Sequence, residues 1–189
     1  MKTHVLAADI GGTKISVALF DRKGEISHKQ CILTKAEQGL DATFERLSQT
    51  IESVLSLSGR DSLVGVGLSV AGPTDLETGR VYDPPNLPGW DGFVPRAMLK
   101  QRLSLDVAVA NDATLGALAE YQYGAGRGHK HMIYMTLSTG IGGGMILDGA
   151  PYTGNRGFAG EIGHFSIDRN GPQCGCGSFG CLEVMASGT

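Results

Sequence analysis

The sequence predicts an α/β protein of two related domains, the second incomplete, and three observations carry that prediction. Apolar runs with strand character and stretches of helical periodicity follow one another in the order β-β-β-α-β-α. A strand, glycine turn, strand pattern occurs at residues 5–20 and again around residues 132–148. After the second occurrence the chain enters a loop rich in cysteine and glycine, where helices would be needed to cover a sheet. The first domain is expected over residues 1–112 and the second from residue 113 to 189, short of completion.

Taken in order, residues 3–10 read as a strand buried on both faces. Lys14 to Asp21 is its hairpin partner, and Gly11 and Gly12 supply the tight turn. Glu25 to Thr34 continues as a third strand, with Cys31 expected as a buried thiol. From Asp41 to Leu57 the residues Phe44, Leu47, Ile51, Val54 and Leu55 fall on one helical face, and Gly59 follows as a stop signal. Leu63 to Val70 is a strand returning through that helix, which makes a mixed sheet. Residues 72–92, broken by repeated Gly and Pro, read as a long folded loop of the kind that shapes a site. Trp90 within it suits either a sugar-stacking or a loop-anchoring role. A short helix at Phe93 to Leu103, a buried strand at Asp106 to Ala110, and a helix with Leu115, Leu118 and Ala119 inward complete the first half. Met132 to Ser138 is a strand, Thr139 to Gly144 a glycine-rich turn, and Met145 to Asp148 its partner.

Composition narrows the function classes. With 41% hydrophobic and 19% charged residues in 189, the chain is an ordinary globular protein. A net charge of -3 argues against a general nucleic-acid or acidic-membrane surface. The absence of a basic-plus-apolar leader or a bilayer-length apolar run makes a cytoplasmic protein the default expectation. Three of the four cysteines fall within eight residues, Cys174 and Cys176 only two apart, which suits a metal in a reducing compartment better than a disulfide framework.

The chemistry-bearing residues follow. Asp9-Ile10-Gly11-Gly12-Thr13-Lys14 gathers backbone N–H groups, a hydroxyl and an ammonium, with a carboxylate placed to hold magnesium through water, a combination suited to a polyphosphate. Gly140 to Gly144, with Ser138 and Thr139, form a weaker phosphate candidate at the second glycine turn. Asn111-Asp112 opens a helix after a buried strand, the ordinary place for an N-cap. The same position at the carboxyl end of a central strand also suits a general base for phosphoryl transfer. His164, Cys174, Cys176 and Cys181 make the ligand set of a closed, structural tetrahedral zinc site. Glu161 and Glu183 flank that loop and suit hydrogen bonds from the hydroxyls of a sugar. His129 and His131 are expected to be solvated.

DIGGTK at 9–14, Asn111-Asp112, STGIGGG at 138–144, Glu161-x-x-His164 and C-x-C-G-x-x-G-C-L-E at 174–183 together resemble the ROK family of bacterial sugar kinases and repressors. The resemblance runs through the whole chain in order. It implies an actin-like ATPase (ribonuclease H-like) fold of two domains, with a sugar held between them and ATP as phosphoryl donor. By it, Gly11, Gly12, Thr13, Lys14, Thr139 and Gly140 contact ATP, Asp9 lies near magnesium, and Asp112 is the catalytic base. Gly72, Asn86, Asn111, Glu161, His164 and Glu183 contact sugar, with His164 also a zinc ligand. The resemblance further implies a homodimer, and a later part of the large domain, closing around adenosine, beyond this sequence. A glucokinase-like hexose kinase is the expected activity. The alternatives are a sugar-sensing regulator, which would carry a helix-turn-helix before the first strand, or a non-catalytic sugar- and zinc-binding remnant.

Overall fold

A computed structural model describes residues 4–57 and 63–188. The chain forms two compact units, Met1–Asp112 and Ala113–Thr189. The expected helix stop at Gly59 lies outside the described residues.

In the first unit, β1 (His4–Ile10), β2 (Lys14–Phe20) and β3 (Ile26–Leu33) form an antiparallel meander. Helix α1 (Gly39–Ser56) then carries the chain to β4 (Leu63–Val70), which pairs with β1 in parallel. Helix α2 (Pro95–Leu103) leads to β5 (Val107–Asn111), parallel to β4, so the sheet runs β3-β2-β1-β4-β5. The mixed sheet and helical return read from the sequence are both present. The helix α1 buries Leu47, Ile51, Val54 and Leu55, a stripe at the helical period, against the sheet residues Leu6, Ile15, Val17 and Leu68. Thr43, Ser48 and Thr50 are buried beside them. Their hydroxyls donate to carbonyls one turn back, Gly39, Phe44 and Arg46, at 2.8, 2.8 and 2.7 Å, so no polar atom there is left unpaired. Helix α2 starts with Pro95 in its first turn, where no N–H partner is needed, and buries Pro95, Leu99 and Leu103 at successive turns.

The long segment between β4 and α2 contributes Val81, Leu87 and Trp90 to the core itself. Trp90 is fully buried, donates its indole N–H to Thr43 Oγ1 at 3.0 Å, and packs edge-on against Phe93 at 5.2 Å between centroids. It anchors the loop, which decides between the two roles its position suggested. Cys31 departs from expectation. It lies on β3, the edge strand of the sheet, and its side chain is exposed, because a run that reads as apolar lacks a second layer at the edge.

The second unit contains α3, β6 (Met132–Leu137), β7 (Ile141–Leu147), the two-residue β8 (Ala150–Pro151) and α4 (Leu182–Ala186). Helix α3 spans Asp112–Tyr123, so its first residue belongs to the first unit. The three strands are antiparallel in the order β6-β7-β8. The glycine run departs from expectation in a useful way. Only residues 138–140 form the turn, whereas Gly142, Gly143 and Gly144 lie inside β7. A Cβ at Gly144 would stand 2.6 Å from the Ala117 Cβ and 2.7 Å from the Ala113 carbonyl oxygen, so the glycines let helix α3 lie directly on the strand. The same closeness overturns the expected inward face of α3. Ala113, Thr114 and Ala117 are buried, Leu115 and Leu118 only half-buried, and Ala119 exposed, since large residues do not fit that contact. On the other face of β6, Ile133, Met135 and Leu137 alternate in solvent. Among the described residues no helix is long and apolar enough to cross a membrane.

This packing gives a test. Gly144→Ala should destabilise the chain by about 1–3 kcal/mol, since both neighbours are backbone or a methyl fixed on the helix. Gly67→Ala in β4, where nothing lies within 4 Å, should change stability by less than about 1 kcal/mol. Equal urea midpoints for the two variants would refute the close helix-on-strand contact.

Candidate active site and metal centre

Three parallel strands end level with one another. Ile10, Val70 and Asn111 are partners across β1, β4 and β5, so the segments that follow each strand leave from one edge of the sheet. Those segments are the turn Gly11–Lys14, the loop beginning at Ala71-Gly72, and Asn111-Asp112 at the start of α3. Register thus brings together residues up to 101 positions apart in the chain, Asn111 less Ile10.

The turn is held from behind. Gly11 N donates to Lys14 O at 3.0 Å, and Thr34, fully buried at the end of β3, donates its hydroxyl to Gly11 O at 2.6 Å and its amide to Thr13 O at 2.9 Å. Asp9, Thr13 and Lys14 are left facing solvent at the strand edge. Neither Gly11 nor Gly12 takes a positive φ. The need for glycine at position 12 is steric, because a Cβ there would lie 2.6 Å from Asn86 Cβ and 2.9 Å from Asn86 O. Asn111 donates its side-chain amide to Gly72 O at 3.0 Å, and Gly72, at φ 145°, packs against Pro84. Asp112 is exposed at the first position of α3. Gly12, Gly72, Asn86 and Asn111 therefore form a connected wall beside Asp112. Thr34 was not singled out from the sequence. It ends an exposed strand and carries no motif, and only the β2–β3 register puts it behind the turn.

In the second unit, Glu183 sits in the first turn of α4 and accepts the Ile141 amide at 2.9 Å through Oε2. One oxygen of this carboxylate is thereby fixed to the turn that contains Thr139 and Gly140. Glu161 precedes a single 3₁₀ turn, Ile162–His164. Its Oε2 lies 3.9 Å from His164 Nε2, and both side chains are about one-third exposed. His129 and His131 are exposed, as expected, and His131 Nδ1 accepts the Asp148 amide at 3.2 Å.

His164 turns its other nitrogen inward. Nδ1 lies 3.6 Å from Cys174 Sγ, Cys176 Sγ lies 3.7 Å from Cys181 Sγ, and the four candidate ligand atoms all fall within 4.8 Å of one another. A tetrahedron with metal–sulfur bonds of about 2.3 Å has an edge of about 3.8 Å, so the spacing fits a metal-sized cavity. Backbone bonds hold the frame: Cys174 N to Ser178 O at 2.8 Å, Ile167 N to Gly180 O at 2.8 Å, and Leu182 N to Phe165 O at 2.9 Å. At Gly180, φ 59°, a Cβ would fall on the Asp168 carbonyl. Burial and the neighbouring Cys176 and Cys174 push the Cys181 thiol up to about 11, while a backbone hydrogen bond at Ser178 holds Cys176 below the ordinary thiol range. Three thiols this close can ionise together only against a cation.

Comparison with known proteins bears on the family and the fold. The sequence profile described as the ROK family matches residues 5–189. A glucokinase of Thermotoga maritima is 39% identical over 188 residues, covering 100% of this chain and 58% of that protein. An N-acetylmannosamine kinase of Salmonella newport is 36% identical, covering 97% of this chain and 61% of the relative. A ROK family glucokinase from Streptomyces griseus, solved in complex with glucose and AMPPNP, superposes with a TM-score of 0.84 at 34% identity, covering 98% of this chain and 57% of that one. The chain thus spans about three-fifths of the length of these relatives.

The cysteine cluster can be tested on the purified, reduced chain. Cobalt(II) should bind at about one ion per chain and give the intense visible absorption of tetrahedral thiolate coordination. A weak octahedral spectrum, or saturation far below one equivalent, would exclude a closed four-ligand site.

Proposed function

The chain belongs to the ROK family, with the actin-like α/β fold of that family, and from that premise we propose that it provides the acceptor and phosphate machinery of an ATP-dependent sugar kinase. The reaction would transfer the γ-phosphoryl group of ATP to a hexose hydroxyl. The observation that carries this reading is the level ending of β1, β4 and β5, which sets an anion-binding turn and a carboxylate on one sheet edge. A phosphate turn without a nearby base would suit simple anion binding. A base without the turn would suit an N-cap alone.

In this mechanism the amides of Gly11 and Gly12, the Thr13 hydroxyl and the Lys14 ammonium hold the phosphates, with Thr139 and Gly140 of the second glycine turn as further contacts. Magnesium, when bound, neutralises charge on the phosphate oxygens, and Asp9 is the residue that would orient it through water. Asp112 accepts the proton of the attacking hydroxyl. The new bond forms between that oxygen and the γ-phosphorus, the bond to the bridging oxygen breaks, and ADP departs. Asn111, fixed by Gly72 O, together with Asn86, Glu161, His164 and Glu183, would orient the remaining hydroxyls. Glu183 suits this role because its tie to Ile141 leaves its other oxygen in a set direction. Most of the acceleration would come from positioning.

His164, Cys174, Cys176 and Cys181 would hold zinc. Four protein ligands leave no open coordination position, so the metal's contribution is to the frame and not to bond making. With His164 Nδ1 turned to the thiols, only Nε2 remains for Glu161 or a sugar hydroxyl. The names of the relatives support glucose and N-acetylmannosamine as first choices in a sugar panel.

In a coupled ADP-release assay with glucose, N-acetylglucosamine, N-acetylmannosamine, fructose and allose, Asp112→Asn should lower kcat by about 10²–10⁴-fold while sugar binding stays near wild type. Retained turnover removes Asp112 from the mechanism, and no transfer to any sugar, either by this chain or by a longer version that carries the rest of the large domain, overturns the kinase reading. Cys176→Ser should weaken sugar affinity and thermal stability together, whereas a change in kcat alone would contradict a purely structural metal.

A further inference from the structure

Gly12 lies on the phosphate turn, yet its closest neighbour is not part of that turn. A Cβ on it would reach Asn86 Cβ at 2.6 Å, Asn86 O at 2.9 Å and Asn86 Cγ at 3.4 Å. Neither partner has room to retreat. The turn is clamped by Thr34 through Gly11 O and Thr13 O. Asn86 stands between Pro84 and Leu87, both buried, with Leu87 N bonded to Pro84 O at 3.2 Å and Trp90 N to Leu87 O at 3.2 Å. Trp90 fixes the far side of the loop in the core. Asn86 as a whole is exposed.

We propose that Gly12 is a positioning residue for the sugar: by carrying no side chain it seats Asn86 against the phosphate turn, and so fixes the spacing between the acceptor sugar and the phosphates. This rests on the sugar-kinase reading, and it deepens that reading by giving one glycine two tasks. Its amide faces the phosphates, and its missing side chain makes the place in which the sugar-binding asparagine rests. The two subsites then share a wall one residue thick. A substitution usually assigned to the nucleotide side alone must act on the sugar side as well.

The test is a measurement of hexose affinity by calorimetry with no nucleotide present, on the wild-type chain, Gly12→Ala, Asn86→Ala and the double variant. Gly12→Ala should lose about tenfold in affinity, the worth of one well-made hydrogen bond, and Asn86→Ala a similar amount. The double variant should be no weaker than Asn86→Ala alone, because Gly12 acts through Asn86. Unchanged nucleotide-free affinity in Gly12→Ala, or losses that multiply in the double variant, overturns the proposal. Amide exchange supplies a readout independent of sugar. In Gly12→Ala, Leu87 and Trp90 should exchange faster while Leu6 and Ala8 of β1 keep wild-type protection, which also certifies the fold. Wild-type protection at Leu87 and Trp90 would show that Asn86 is not seated on Gly12. If the wild-type chain binds none of the five sugars, the kinase reading fails, and the exchange result still decides the contact.

Discussion

The candidate site in the first unit depends on strand register. Because Ile10, Val70 and Asn111 pair across three parallel strands, the chain is released at one edge three times, and each release carries a different chemical group. A slip of one residue in β4 or β5 would turn every buried side chain of that strand to the opposite face. The apolar pattern therefore protects the site while protecting the core. Leu68 and Val70 in β4, and Val107 and Val109 in β5, are packing residues whose effect reaches Asn111 through alternation alone.

The second unit solves a different problem. Its sheet has three strands, one of them two residues long, and its helix α3 touches β7 through alanine and glycine, a contact that removes little apolar area from water. A segment that removes little apolar area from water can be fixed instead by a bound metal acting as a staple. The segment from His164 to Cys181 has the composition of one, with four ligand atoms converging and a backbone frame in which Gly180 leaves no space for any side chain. Glu183 then couples the staple to the second glycine turn through a single carboxylate–amide bond.

Much of this was legible in the residues. The succession of strands and helices along the chain, the helical stripe of α1 and the convergence of His164 with three cysteines follow from periodicity and ligand spacing, which are local signals. What the sequence concealed is mostly tertiary. Cys31 sits in a run that looks apolar, but only the sheet order shows that β3 is an edge. The run from Gly142 to Gly144 looks like a turn because glycine punctuates chains. Its strand character emerges only against Ala113 and Ala117. The buried face of α3 is hidden for the same reason: the pattern points Leu115, Leu118 and Ala119 inward, whereas the contact with β7 buries Ala113, Thr114 and Ala117. Gly12 was singled out for its motif, while the neighbour that makes glycine necessary, Asn86, lies 74 positions along the chain, 86 less 12.

Trp90 is the single tryptophan in the sequence. All tryptophan light emitted by this protein consequently originates in the loop that carries Asn86, from an indole sealed from water and bonded to Thr43. The fold has placed its one intrinsic chromophore of that kind four residues from the asparagine that faces Gly12, so the loop's optical state can be followed without a label and without tryptophan emission from elsewhere in the chain.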